Sequence, residues 1–270
     1  MAENATTVLI EKDGQVLILT LNRPEVLNSM NGTLAHALKS ALDQAEDGVR
    51  SGDVRAVVLT GSGRGFCAGA DLGDPALRGP DGQAGIDLGS YLRDFYHPVI
   101  EKMRSLPAPV ICAVNGSAAG AGMSLALAGD IVLAGRSATF LQAFSRIGLV
   151  PDAGSTYFLP RLVGEMRARA LAILADRIDA EQALQYGLVW QVLPDDELQA
   201  AARAMAGRLA SMPTNAYALT KTALNQSLQN DLPQQLELEA QLQSQAGRSD
   251  DFSEGVAAFL AKRPAVFKGR

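Results

Sequence analysis

Apolar and polar positions change their period several times along this chain. Two short β-prone runs, residues 8–11 and 16–21, flank Asp13-Gly14, a dipeptide that favours tight hairpin turns, so the chain is expected to open with a hairpin. Over residues 30–46 the period lengthens, placing Leu34, Ala37, Leu38, Ala41, Leu42 and Ala45 on one helical face with Asn31 as its cap. Residues 54–60 form a continuous apolar run, typical of a strand buried on both faces, and it ends in Gly61-Ser62-Gly63-Arg64-Gly65. The order then repeats. Residues 91–106 have helical spacing stopped by Pro107 and Pro109, residues 110–115 read as a buried strand, and residues 116–122 form a second small-residue loop. A short helix over 123–128 and a strand over 131–134 follow. Two successive strand–glycine loop–helix units predict an α/β core.

Further on, residues 74–89 are rich in Gly, Pro and Asp without periodicity and are expected to form a mobile surface loop beside the glycine loop. Residues 161–174 read as a helix. Asp179 is expected to cap another that runs to Tyr186 and stops at Gly187, before a strand over 188–193 whose Trp190 is expected in the core. Beyond Asp195 only helices are expected, over 197–212, 215–230, 234–247 and 253–261. This divides the chain into a ligand-binding core over 1–195 and a helical region over 196–270 that covers the active site or makes subunit contacts.

Composition narrows the function. The 270 residues carry a net charge of −5, so no overall positive field draws the protein to nucleic acid or an anionic membrane. Cys67 and Cys112 offer neither a disulfide framework nor a spaced metal cluster, and no metal is expected. His36 and His97 lack any motif context and read as surface or helix-packing residues. The first residues show no leader pattern and no apolar run is long enough to span a bilayer, so a cytoplasmic location is expected.

The small residues of Phe66-Cys67-Ala68-Gly69-Ala70-Asp71-Leu72 allow backbone N–H groups to approach a ligand closely. Asn115-Gly116-Ser117-Ala118-Ala119-Gly120-Ala121-Gly122 opens a helix, so its N–H groups and the helix dipole point the same way. Each loop alone is equally consistent with close packing. Together they supply what the oxyanion of a thioester enolate needs, two N–H donors from separate turns.

These two runs, with Asn22-Arg23-Pro24, residues 148–154 and residues 178–189, resemble the enoyl-CoA hydratase/isomerase (crotonase) family over nearly the whole chain and in the right order. The resemblance implies a spiral of ββα turns forming two stacked sheets, with a C-terminal helical region that assembles trimers, often paired into hexamers. It implies an acyl-CoA thioester as substrate and no separate cofactor, coenzyme A being part of the substrate. By position, the oxyanion N–H groups are those of Ala70 and Ala121. Family members usually carry glycine where Ala121 stands, so the backbone there must be one that alanine can adopt. Arg23 and the turn Ala68, Gly69, Asp71 and Leu72 become candidate contacts to coenzyme A. Phe259 and Lys262 match positions that reach the nucleotide end of the ligand in a neighbouring subunit; a plain amphipathic helix with a solvated lysine is the alternative.

Hydratases of the family place one glutamate just after the second loop and another about twenty residues later, where this chain has Ser124 and Phe144. Without them, no pair of acids activates water and protonates the α-carbon. Isomerase members carry their acid at the position of Asp152, in Gly148-Leu149-Val150-Pro151-Asp152-Ala153-Gly154. One carboxylate that removes a proton and returns it elsewhere suffices for a double-bond or ring rearrangement. Apolar neighbours such as Phe144 and Tyr157 would raise its affinity for protons, whereas a Pro-Asp turn would use it only as a helix cap. Residues 137–140, 143–145, 148–152, 159–161, 187–192 and 246–250 resemble the branch of the family that rearranges ring-epoxidised phenylacetyl-CoA to an oxepin in phenylacetate degradation.

Other chemistries fit less well. Gly61-Ser62-Gly63-Arg64-Gly65-Phe66 has Phe66 where a dinucleotide fingerprint needs its third small residue, and no phosphate loop or Gly-x-Ser-x-Gly elbow occurs. A thioester hydrolase or dehalogenase with Asp152 as nucleophile, a non-catalytic acyl-CoA binder and an RNA binder on the same scaffold remain as rivals, the last opposed by the acidic balance.

Overall fold

The computed structural model describes residues 6–77 and 87–270. The opening hairpin forms as expected: β1 (Val8–Asp13) pairs antiparallel with β2 (Val16–Leu21) around Gly14. The helix Gly32–Ser51 follows, its cap Asn31 accepting from the Leu34 N–H at 2.9 Å, and it buries the expected face of Leu34, Leu38, Ala41, Leu42 and Ala45.

Two stacked sheets organise the rest. The six-stranded sheet runs β1-β2-β3-β5-β7-β10, with β3 (Ala56–Gly61), β5 (Val110–Val114), β7 (Ile131–Gly135) and β10 (Gln191–Leu193) parallel to β2. The four-stranded sheet is β4 (Gly65–Cys67), β6 (Ser117–Ala119), β8 (Thr139–Leu141) and β9 (Ile178–Asp179). The chain steps from β3 to β4, from β5 to β6 and from β7 to β8 before helices return it, which is the ββα spiral that the family resemblance implied. Successive residues of a strand point to opposite faces, so the continuous apolar runs fill two layers. Leu17, Leu19, Val57, Leu59 and Val110 enter the main core with the helix Gly32–Ser51 and the second sheet. Ile18, Val58, Ile111 and Leu133 meet Leu198, Ala202 and Ala206 of the helix Leu198–Ala210, which covers the outer face.

Three expectations change in detail. The helix expected over 161–174 is two, Ser155–Val163 and Glu165–Leu174, broken at Gly164 with φ +79°. The helix expected over 91–106 is wound as Leu88–Tyr91, a π-helical turn Leu92–Tyr96 and His97–Ser105. Trp190 is not in the core but 72% exposed: its backbone N–H donates to the Val132 carbonyl while its side chain projects outward. Of the loop expected over 74–89, Pro75–Leu77 is a 3₁₀ turn and Asp87 caps the next helix, whereas residues 78–86 lie outside the described residues.

The C-terminal helices Thr214–Gln226, Leu232–Ala246 and Asp250–Leu260 complete the chain. Lys221 anchors the first to the core through an ion pair with Asp130 at 2.7 Å. Leu224, Leu228, Leu232, Phe252, Phe259 and Leu260 of these helices and their connections stand exposed. Among the described residues no helix is long and apolar enough to cross a membrane.

Candidate active site

The turn after β4 is held against Met30. The Met30 N–H donates to the Gly69 carbonyl at 2.7 Å and the Asp71 N–H donates to the Met30 carbonyl at 2.8 Å. In such a parallel bridge the intervening residue, Ala70, directs its own N–H to the opposite side. Gly69 allows this with φ +98°, and a side chain there would lie 2.8 Å from the Ala119 carbonyl oxygen and 3.7 Å from the Ala121 nitrogen. The two small-residue loops therefore touch.

Ala121 begins the helix Ala121–Leu127, whose cap Gly120 has φ +49° and ψ −126° and makes no side-chain capping bond. N–H groups in the first helical turn have no intrahelical acceptor, and the helix dipole adds positive potential at the same point. Gly120 takes the backbone conformation that alanine resists, so Ala121 sits in ordinary helical geometry. Gly122 lies flat against the first turn, where an added methyl would come within 2.0 Å of the Cys67 carbonyl oxygen. Cys67 itself is fully buried, and burial pushes its thiol up to about 12.

Asp152 approaches from the other side. Its turn carries Ala153 at φ +49° and Gly154 at φ +84° before the helix Ser155–Val163. The Asp152 backbone carbonyl accepts from the Ser155 N–H at 2.9 Å and from the Ser124 hydroxyl at 3.0 Å. Ser124 stands three residues after Ala121, one helical turn away, so this contact fixes Asp152 beside the helix that presents the Ala121 N–H. The carboxylate does not cap its helix: Gly154 is the cap, without a side-chain bond, and Asp152 Oδ1 is buried with no partner among the described residues. Burial raises its pKa to about 6. Phe144 is buried, with its ring 3.8 Å from where a Gly120 methyl would stand. Tyr157, the other expected apolar neighbour, instead projects to the surface, where the Arg161 guanidinium lies 3.7 Å from its ring centroid.

The remaining candidates separate into two groups. Arg23 and Asp71 pair with each other at 2.8 Å, and Arg23 also donates to the Ser29 carbonyl at 2.6 Å. The Ala68 N–H donates to the Leu27 carbonyl at 3.0 Å, and Leu72 is exposed at the mouth of the turn. Phe259 is 82% exposed and lines a groove with Pro213, Gln243 and Val256, and Lys262 is exposed just beyond that helix. Three buried polar side chains beside the Asp152 turn have little signature in the sequence: Ser124 stands out only as a missing acid, and Ser155 and Gln142 belong to no motif. Nor does Tyr96, whose hydroxyl donates to the Met30 carbonyl at 3.2 Å. Gln142 breaking the apolar run around Phe140 and Leu141 was the one available signal.

Comparison with known proteins follows the same lines. The profile of the enoyl-CoA hydratase/isomerase family matches residues 11–270. A Rhodobacter capsulatus protein described as a "probable enoyl-CoA hydratase" is 49% identical, the match covering 98% of each chain. The 1,2-epoxyphenylacetyl-CoA isomerase of Escherichia coli K12 is also 49% identical, over 97% of this chain and 98% of its own. The crystal structure of an enoyl-CoA hydratase from Bacillus anthracis superposes with a TM-score of 0.90 at 33% identity, covering 98% of this chain and all of that one. The chain belongs to the enoyl-CoA hydratase/isomerase family.

Proposed function

We propose that this protein is an acyl-CoA isomerase using Asp152 as its one acid–base group and the Ala70 and Ala121 N–H groups as an oxyanion hole. The observation that carries the reading is Asp152, whose Oδ1 is buried without a partner among the described residues and whose backbone carbonyl is bonded to the helix that begins at Ala121, with Ser124 and Phe144 where a hydratase needs acids. The two relatives at equal identity bear different activity names, so the acid positions decide between them. A pKa of about 6 leaves Asp152 mostly ionised at neutral pH yet able to hold a proton briefly.

In a β,γ-unsaturated thioester, the Asp152 carboxylate removes an α-proton. The C–H electron pair becomes part of a dienolate whose negative oxygen accepts from the two N–H groups. Protonated Asp152 then delivers the same proton to the γ-carbon, the electrons return to an α,β double bond, and the enzyme is regenerated. An arene epoxide and its oxepin are valence tautomers, and the oxepin form of a ring-epoxidised phenylacetyl thioester is itself β,γ-unsaturated. The same 1,3-proton transfer therefore isomerises 2-(1,2-epoxy-1,2-dihydrophenyl)acetyl-CoA, the substrate we assign within phenylacetate degradation. A 3-enoyl-CoA to 2-enoyl-CoA isomerase is the same chemistry on an open chain.

The turn from Ala68 to Leu72 contacts coenzyme A in this reading. Phe259 and Lys262 of a neighbouring subunit reach its nucleotide end, within a trimer or a pair of trimers. Incubation with 3-hexenoyl-CoA, ring-epoxidised phenylacetyl-CoA and crotonyl-CoA, followed by absorbance and product mass, tests the assignment. Conversion of the first two without mass change supports it. Addition of water to crotonyl-CoA at a comparable rate overturns it.

A further inference from the structure

Three buried polar side chains lie under the Asp152 turn in one connected chain. Ser124, fully buried, places its hydroxyl 3.0 Å from the Asp152 carbonyl oxygen, 3.0 Å from Ser155 Oγ and 3.3 Å from the Gly120 carbonyl oxygen. Ser155, also fully buried, donates its hydroxyl to Gln142 Oε1 at 3.0 Å. Gln142 is 1% exposed, and its Nε2 has no partner among the described residues. Buried hydroxyls and amides cost free energy unless bonded, and here two hydroxyls and one amide bond to one another in a single line that ends on the Asp152 turn.

Ser124 touches both catalytic elements at once: the Gly120 carbonyl at the start of the helix that presents Ala121, and the Asp152 carbonyl on the opposing turn. The turn it grips holds a non-glycine residue, Ala153, in the left-handed region, a conformation that persists only when its surroundings enforce it. We propose that Ser124, backed by Ser155 and Gln142, is a positioning network that fixes the distance between the Asp152 carboxylate and the Ala121 N–H group, an inference that rests on Asp152 being the base. Gln142 orients Ser155 by accepting its proton. Ser155 Oγ then shares the single Ser124 proton with the Asp152 carbonyl in a three-centre bond, both acceptors lying at 3.0 Å, which keeps all three side chains in register with the turn.

The test is solvent exchange at the α-carbon of phenylacetyl-CoA in D₂O, which reads proton removal without requiring the natural substrate. Ser124→Ala deletes the clamp. Gln142→Met keeps the shape of the last link and removes its polar atoms, including the unpartnered one. Both variants are expected to slow exchange by about 10- to 100-fold, the effect of a misplacement near 1 Å. Affinity for phenylacetyl-CoA should stay unchanged. The acid limb of the pH profile should move toward the ordinary carboxylate range as water gains access to Asp152. Gln142→Met should melt no lower than wild type, which separates positioning from loss of fold if Ser124→Ala proves unstable. Asp152→Asn is measured alongside. If it abolishes exchange while both other variants exchange at the wild-type rate and pH profile, the network positions nothing and the inference fails alone. If Asp152→Asn itself exchanges normally, the assignment of the base and the network built on it fall together.

Discussion

Arg23 and Asp71 form an ion pair at 2.8 Å, with both side chains more than four-fifths buried, directly beside Ala70 in the first turn. Arg23 also holds the Ser29 carbonyl, so it ties the segment before the helix Gly32–Ser51 to the turn that carries Ala70. Arg23→Gln should leave Asp71 partly buried and unpaired, costing about 1–3 kcal/mol of stability, with a further loss of turnover as the turn loosens. Arg23→Gln/Asp71→Asn should be more stable than the sum of the single changes. Thermal melts with calorimetry on an unreactive acyl-CoA distinguish this from a direct coenzyme A contact, for which Arg23→Gln would weaken binding and leave the melt unchanged.

Gly69→Ala tests the contact between the two turns. Its φ of +98° is outside what alanine readily adopts, and the new methyl would stand 2.8 Å from the Ala119 carbonyl oxygen. The turns must move apart, and the two N–H groups with them. We expect turnover to fall on the order of 10²-fold, comparable with loss of one oxyanion donor. A variant with wild-type kcat would show that the spacing of these turns is unimportant.

The strands of the larger sheet were readable because their apolar runs are unbroken, and the two turns because their glycines stand where two backbones meet, as at Gly69 and Gly122; β4, β6, β8 and β9 are strands of two or three residues, too short to show a period, so the second sheet was not legible from the pattern. Gly164, by contrast, interrupts a helix inside a run whose side chains continue helical spacing, so periodicity alone bridged it. Trp190 was misplaced because the strand expected over 188–193 begins only at Gln191, and aromatic character does not say which way a side chain turns just before an edge strand. Asp152 was singled out through the family motif and the missing acids elsewhere. Its partners Ser124, Ser155 and Gln142 come from separate segments, and only the fold brings them together. The same holds for Arg23 and Asp71: sequence marked both as near the ligand, and their mutual pairing appears only in three dimensions.

Assembly is the next expectation. Phe259 and Leu260 are 82% and 75% exposed on one helix, and Leu224, Leu228 and Leu232 are similarly open nearby. Exposed apolar surface of this extent is of the kind that a contact with another protein surface covers. Light scattering should give a trimer or a pair of trimers at micromolar concentration, and removal of residues 253–270 should weaken both assembly and acyl-CoA affinity. A stable monomer with full affinity would contradict this.

Asp152→Asn should separate chemistry from folding through the sign of two opposite effects. The substitution keeps the size of the side chain and removes the base, so turnover should fall by about 10²–10⁴ while affinity for an unreactive acyl-CoA is retained. In wild type, burial raises the Asp152 pKa from 3.8 to about 6, so the folded state holds a proton that the unfolded chain has already released. The stabilising contribution of the protonated form is thus complete below about pH 4 and is lost as pH rises through about 6. Asparagine never ionises and escapes this loss. The stability of Asp152→Asn relative to wild type should therefore climb between about pH 4 and pH 6 and level off above, by on the order of 2 kcal/mol. Over the same interval wild-type kcat/KM should rise as the base ionises. Paired melting curves and rate profiles across this range check both trends. A carboxylate that merely stabilised its turn would give the reverse: a less stable asparagine variant at neutral pH, with turnover intact.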